Sequence, residues 1–347
     1  MRSSLAFECS LFILTLIQFT AFSFSSAQPV RCHNDERLAL MQFKESFIID
    51  KRASTFCSFA YPKVDNWKFQ GVDCCSWDGI GCDQITGQVI DLDLSSSCLY
   101  GSINSSSSLF HLVHLRKLNL ADNDFKYSVI PSALGNLSML TYLNLSNSVF
   151  SGQIPSEISK LSRLSSLYLS NNMGLKMPDM KSFIQNLTNL NHLHLSYVDV
   201  ASPIPSVLAN FSSLTSLYLE HCGLLGKFPL AIFQLPNLQI IWLVNNLGLS
   251  GYLPEFNFTS QLKALSLFNT SFSGELPASI GDLDSLELLA IGYCNFTGLV
   301  PSTLGNLPKL YFLDLGHNFF SGKLPASSGN LISLEYFLCF FLNITSL

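Results

Sequence analysis

The sequence predicts an α/β solenoid, a superhelix with a parallel concave sheet and a helical, disulfide-stapled N-terminal cap. Three observations predict it. First, the pattern LxxLxL begins at Val89, Leu115, Leu140, Leu164, Leu190, Leu214, Leu238, Leu262, Leu286 and Leu310, with spacings of 26, 25, 24 and 26 residues and then 24 five times. Second, a secretory leader precedes the repeats. Third, cysteines crowd the stretch between the two, with three inside "DCCSWDGIGCD", Asp73 to Asp83.

The leader comes first in the chain. Arg2 gives a short positive start, an apolar run follows from Leu11 to Phe22, and Ser25 and Ala27 stand at the small-residue positions of a cleavage site. Residues 1–27 therefore read as a signal peptide. The alternative, an uncleaved signal anchor, is disfavoured because the apolar run is short for a span. The mature chain is expected to fold where cysteine pairs oxidise. The next longest apolar run, Leu334 to Leu342, falls well short of the ~20 residues a span needs, so the mature chain is expected to be soluble or to lack its anchor.

Composition excludes several function classes. Charged residues make up 12% of the 347, about half the usual share, and the net charge is −5. The basic residues are scattered, and no basic face suited to nucleic acid is present. The sequence contains no HExxH, no GxSxG and no glycine-rich phosphate loop, and an enzyme is a minor reading. His192 and His194 alternate on one strand, but no Cys or carboxylate stands at a matching offset in the flanking units, so a solvated strand face is preferred to a metal site. No cofactor is expected.

Each repeat justifies itself residue by residue. In Leu140–Arg163, Leu140, Leu143 and Leu145 point inward from a short strand, while Phe150, Ile154, Ile158 and Leu161 fill the rest of the core. One unit alone has too little apolar surface to fold, and stacking shares a continuous core. An inward polar position follows each strand: Asn123, Asn172, Asn246 and Asn318, or Ser148, Thr270, Cys222 and Cys294. Such side chains are expected to bond the turn backbone of neighbouring coils. Val198 occupies this slot without a polar atom, which predicts a local irregularity. Cys222 and Cys294 read as buried weak donors rather than reactive thiols. The second half of the unit repeats SGxIP, with Gly152, Gly226, Gly274, Gly298 and Gly322 and then Pro155, Pro229, Pro277, Pro301 and Pro325. Glycine permits tight bends, and proline fixes φ and stops a ladder.

This LxGxIP signature closely resembles the plant-specific class of leucine-rich repeats, from Val89 to about Leu334. The preceding region resembles the N-terminal cap of that class through "CHNDERLALMQFKESF" (Cys32 to Phe47), "YPKVDNW" (Tyr61 to Trp67) and "DCCSWDGIGCD". Together they look like the ectodomain of a plant receptor-like protein, a cell-surface receptor without a kinase domain, many of which act in pathogen recognition. The implied organisation is a signal peptide at 1–27, a cap at 28–88, about ten repeats over 89–333 and a broken partial repeat at 334–347. The resemblance implies a peptide or protein ligand, co-receptor or adaptor receptor kinases as partners of the full-length form, and a secreted or cell-surface location. The family normally continues through further repeats, a second cap and a membrane span, so the chain reads as truncated. Two competing readings are a secreted inhibitor of microbial polygalacturonases, whose cysteine-bearing C-terminal cap is not matched here, and a shortened ectodomain of a receptor kinase.

The cysteine cluster has three readings: metal, redox or staple. Secretion argues against thiolate metal ligands, and no CxxC motif is present. Adjacent Cys74 and Cys75 should each take a separate partner, although spacing alone leaves the connectivity open. The resemblance implies Cys75–Cys82 and Cys32–Cys74. Cys57 and Cys98 are left over, and they pair if the cap folds back on the first repeat. Trp77 is expected to pack beneath the bridges.

Function should sit on the concave face. The fifth position of each unit reads Asn119, Asn144, Tyr168, His194, Tyr218, Trp242, Ser266, Ala290 and Asp314, so four consecutive units present rings. His192, Tyr197, Glu220, His221, Phe268 and Tyr293 lie nearby, and these ten residues, with Asn144 and Asn269 at the margins, outline a candidate binding stripe. Rings packed only against cross-strand neighbours are the competing account. Nine Asn-x-Ser/Thr sites occur, at Asn104, Asn136, Asn144, Asn186, Asn210, Asn257, Asn269, Asn295 and Asn343. Asn136, Asn186, Asn210 and Asn257 fall late in their units, away from the strand, while sugars on Asn144 and Asn269 would bracket the stripe.

Overall fold

Residues one period apart become strand neighbours. The computed structural model describes residues 31–55, 61–68, 72–256 and 260–339. Its main sheet has twelve strands: β1 (Ile80–Cys82), β2 (Val89–Asp93), β3 (Lys117–Asn119), β4 (Tyr142–Asn144), β5 (Ser166–Tyr168), β6 (His192–His194), β7 (Ser216–Tyr218), β8 (Ile240–Trp242), β9 (Ala264–Ser266), β10 (Leu288–Ala290), β11 (Phe312–Asp314) and β12 (Tyr336–Leu338). From β2 onward every pairing is parallel and in register, so Asn119, Asn144, Tyr168, His194, Tyr218 and Trp242 stand side by side. Strand β1 departs from this. It belongs to the cap and pairs antiparallel with β2, extending the repeat sheet into the cap. Short strands have no period to announce them, which is why the sequence gives no sign of β1.

The core is the inward leucine column. Leu140, Leu143, Leu145, Phe150, Ile154, Ile158 and Leu161 are all buried, and the column stays buried through the central units, loosening at the last one, where Leu324 is half-exposed. Phe125 stacks on Phe150 with ring centroids 4.8 Å apart, and Phe296 lies parallel to Phe320. The five SGxIP glycines share positive φ, from +73° to +93°, where a side chain is strained. The prolines that follow, Pro155, Pro205, Pro229, Pro277, Pro301 and Pro325 among them, each sit immediately before a short helix. That is a position where the missing N–H costs nothing. These outer helices are 3-10 turns, with one exception. The unit starting at Leu164 is 26 residues long, and its extra length accommodates a short α-helix, Met180–Ile184, whose Ser182 N–H is capped by Asp179.

The inward polar slot works as a bracket between coils. Asn172 donates to Leu145 O (2.8 Å) and Leu169 O (2.9 Å), and its Oδ1 accepts from Ser148 N and Phe150 N. Ser148 donates to Leu120 O, Cys222 to Leu195 O and Cys294 to Leu267 O. Burial pushes the Cys222 thiol up to about 12 and the Cys294 thiol upward, so both stay protonated donors. Val198 is buried and its side chain supplies no hydrogen bond, and its unit separates two outer sheets, the pair Ser151–Gln153 with Gly174–Lys176 and a five-stranded sheet that begins at Gly226–Lys227. Between the strands Gly174–Lys176 and Gly226–Lys227 the ladder is reduced to an isolated bridge, Lys176 to Asp199, and to separate backbone bonds such as Val200 N to Cys222 O and Leu225 N to Ser202 O.

The cap is a lid. Cys32 is bonded to Cys74 and Cys75 to Cys82, with Cα separations of 5.6 and 5.5 Å. The Cys32–Asp73–Cys74 group would have the outline of a metal site, but its two sulfurs are bonded to each other. Helix α1 (Asn34–Glu45) buries Ala39, Leu40 and Phe43 over the first repeat. Trp77 is buried and stacks on Trp67 at 5.4 Å, and Trp67 donates its indole N–H to Asp78 O. Cys98 is buried in the first repeat, where its N–H donates to Ser54 Oγ. Cys57 lies outside the described residues, as do the signal peptide, Asn257, Asn343 and residues 340–347. At the far end Phe337 takes the inward register slot of Leu313 yet is 38% exposed, against 1% for Leu313.

Candidate ligand-binding face

The concave sheet changes chemical character along its length. At the cap end it is ionic. Lys117 Nζ lies 3.0 Å from Asp93 and 3.6 Å from Asp91, and Lys63 Nζ lies 3.0 Å from Asp93. Burial alone would raise Asp93, but hydrogen bonds from Ser95, Lys63 and Lys117 outweigh it and hold the carboxyl far below the usual range. Asp91, with fewer donors, is pushed up by burial. Every charge of this patch faces an internal partner.

The middle of the face is the ring stripe. Tyr142, Tyr168, His194, Tyr218 and Trp242 follow one another across β4 to β8, with centroid separations of 5.4, 4.6, 4.3 and 5.9 Å, and all are half-buried. His192, on the same strand as His194, also contacts Tyr168 at 6.1 Å. Both imidazoles converge on one hydroxyl, with His192 Nδ1 and His194 Nε2 each 2.8 Å from Ser216 Oγ. Thr215 Oγ1 lies 3.2 Å from His192 Nδ1. Burial lowers both histidines. For His194, burial and then the charge of His192 take it down to about 4, so both rings are neutral near pH 7. A hydroxyl can then donate to one ring and accept from the other, tying both in place.

The ten candidate residues separate into three groups. Tyr168, His192, His194, Tyr218 and Trp242 form the stripe. Tyr197, Glu220 and His221 form a cluster at its edge. There Tyr197 Oη donates to Glu220 Oε1 at 2.9 Å, Trp242 Nε1 donates to Oε2 at 3.2 Å, and His221 stacks on Tyr197 at 5.4 Å. The hydrogen bond to Glu220 raises the Tyr197 phenol. Phe268 and Tyr293 stand apart. They touch each other at 5.2 Å, and Tyr293 stacks on His317 at 3.8 Å. From β8 to the last strand the third-position row turns apolar, running Ile240, Ala264, Leu288, Phe312 and Tyr336 in register. Sequence reasoning missed Ser216, Tyr142 and this row. All three become visible once the same 24-residue offset is applied to the third position as to the fifth.

A repeat of this period, with Asn brackets and proline-led outer turns, defines the plant class of leucine-rich-repeat solenoid. Family models described as "Leucine rich repeat N-terminal domain", "Leucine-rich repeat region" and "Leucine Rich Repeat" match residues 33–83, 88–239, and 285–307 with 309–331. Receptor-like protein 6 of Arabidopsis thaliana is 40% identical over 296 residues, covering 80% of this chain and 30% of that protein. Among solved structures, the ectodomain of the Arabidopsis thaliana receptor kinase GASSHO1/SCHENGEN3 in complex with Casparian strip integrity factor 2 is 28% identical with a TM-score of 0.71, over 88% of this chain and 35% of that one. The Arabidopsis receptor kinase HAESA, in complex with the peptide hormone IDA and the co-receptor SERK1, is 27% identical with a TM-score of 0.55, over 90% of this chain and 62% of that one. The chain belongs to the leucine-rich-repeat receptor-like proteins of plants. It spans about a third of the length of the curated relatives it matches. Among the described residues, no helix is long and apolar enough to cross a membrane.

Proposed function

We propose that this chain is the ligand-binding part of an extracellular receptor-like protein, and that its concave face holds an extended peptide or protein segment in plant defence signalling through partner receptor kinases. The observation that carries the reading is the stripe Tyr168, His194, Tyr218 and Trp242, four half-exposed rings in register on adjacent strands. Rings of this kind give large contact area with little entropy to lose, and Tyr and Trp are enriched in binding hot spots. The HAESA complex with a peptide hormone and a co-receptor shows that this fold class can host such partners.

The test is a random peptide library panned on the secreted full chain, with recovered peptides measured against Tyr218→Ala/Trp242→Ala. Loss of affinity by about 100-fold or more is expected, since two hot-spot rings are removed. Unchanged affinity, with the variant folded, overturns the reading. The glycans belong to the same proposal. Asn104, Asn136, Asn186, Asn210 and Asn295 are exposed, while Asn144 and Asn269 are half-buried on or beside the concave sheet at either margin of the stripe. Glycopeptide mass spectrometry is expected to find sugars at the exposed set. Asn144, whose Oδ1 already accepts from Ser146 N, and Asn269, bonded to Asn245, are expected to be less occupied.

A further inference from the structure

The turn residue preceding the inward slot has positive φ in unit after unit. It is Asp122, Asn147, Asn171, Asn245 and Asn269 in five of them, residue types that tolerate this backbone. Four units break the pattern with Tyr197, His221, Tyr293 and His317, at φ between 51° and 64°. Histidine shares the tolerance of asparagine for this backbone, whereas the two tyrosines do not and are strained there. They occur as two consecutive Tyr–His pairs, each stacked. The two pairs have different acidic neighbours. Asp314, beside Tyr293 and His317, is 5% exposed and accepts from Gly316 N. Glu220, beside Tyr197 and His221, is half-exposed.

We propose that Glu220, with Tyr197, His221 and Trp242, forms a subsite for an arginine side chain of the ligand, which rests on the reading of the concave face as a binding surface. Tyr197 Oη and Trp242 Nε1 each donate once to the Glu220 carboxylate and fix its plane. A carboxylate offers about four lone-pair positions, so a bidentate guanidinium can still dock. Among the described residues no Lys or Arg forms an ion pair with Glu220, whereas Arg116 and Lys117 on the same sheet are already paired with Asp83, Asp91 and Asp93. A ligand cation therefore meets no competing Lys or Arg at Glu220 among the described residues. The two rings meet the carboxylate with their polar edges, and each is stacked on one neighbour, Tyr197 on His221 and Trp242 on Tyr218, so its other face is left for the second element of guanidinium recognition, cation–π contact. Tyr197 and His221 also line a cleft of about 390 Å³ with Asp199 and Met173, so a second carboxylate stands near the same pair of rings.

The experiment uses the full chain with ¹⁵N-labelled indoles. Its three tryptophans are Trp67 and Trp77, buried in the cap, and Trp242, whose N–H points at Glu220. Titration with N-acetyl-arginine methylamide is expected to shift the Trp242 indole signal saturably, with a Kd on the order of millimolar, and to leave the cap indoles unmoved. The citrulline analogue, isosteric and neutral, is expected to give no shift. Glu220→Gln, which preserves the shape, is expected to weaken arginine binding about tenfold or more. An equal response to citrulline, an unchanged affinity in Glu220→Gln, or no shift at all overturns the subsite. If library peptides still depend on Tyr218 and Trp242 while arginine fails, the subsite falls and the binding face stands. If both fail, the face itself is misread.

Discussion

Asn246→Ala is expected to destabilise the solenoid locally by about 3–5 kcal/mol. The side chain makes five hydrogen bonds at full burial. Its Nδ2 donates to Leu219 O (2.8 Å), Leu243 O (2.9 Å) and Val244 O (3.2 Å), and its Oδ1 accepts from Cys222 N (3.1 Å) and Leu224 N (3.0 Å). Alanine leaves the two N–H groups without this acceptor, inside a turn where water cannot follow. Each orphaned buried group costs about 1–3 kcal/mol, whereas the bonds themselves would have contributed less. The chain already contains the graded series. Asparagine spans two coils in both directions, a hydroxyl at Ser148 or Thr270 still donates, and Val198 does neither. Asn246→Ser is therefore expected to cost about half as much. Because a solenoid couples only neighbouring units, the loss should be local. Hydrogen exchange is expected to speed up at Cys222 and Leu224 and to stay slow at Leu118, five units from Asn246 in the direction of the cap. Unchanged protection at Cys222 and Leu224 would show that the bracket contributes nothing.

How much of this was legible in the sequence depends on whether a feature repeats. The leucine column, the inward asparagines and the fifth-position ring row follow from one period. Register between parallel strands is fixed once every unit buries the same positions. The disulfide pairs came from resemblance and are observed, whereas spacing alone left them open. What escaped is what happens once. Strand β1 reverses direction because the cap chain returns beside β2. The helix Met180–Ile184 exists because one unit has room for it. The strain at Tyr197 is invisible in a residue list, since only the structure shows that the concave edge there is a left-handed turn. The candidate site was legible as a set of rings but not as three groups. That division comes from side-chain directions, which place Glu220 between Tyr197 and Trp242 and leave Phe268 and Tyr293 by themselves.

Cys32→Ser/Cys74→Ser is expected to remove about 4 kcal/mol, and Cys75→Ser/Cys82→Ser only about 2.5, because the constraint on the unfolded chain grows with the loop closed. The first bridge spans 42 residues of sequence and the second spans 7. Position sharpens the difference. Helix α1 has twelve residues, marginal for a helix in water, and His33 offers it no side-chain cap. Its hold on the repeats includes three apolar side chains, the bond from Ser108 Oγ to Ala39 O, the bond from Val89 N to Glu36 Oε2, the bridge beside its first turn and, just past its end, the antiparallel pairing of Phe47–Ile49 with Leu99–Gly101. Glu36 is a weak anchor, since burial raises its carboxyl and its Oε1 has no partner. Without Cys32–Cys74 the helix should detach before the repeats melt, exposing Val89 and Leu92 at the end of the core. Limited proteolysis of the oxidised protein is expected to cut within 33–46 in this variant while residues after Leu115 stay protected. The shorter bridge should behave differently, because it ties the turn Cys74–Ser76 to β1 rather than holding α1. Equal stability of the two variants, or a larger loss from opening Cys75–Cys82, would mean that the cap is held by the sheet edge and not by its helix.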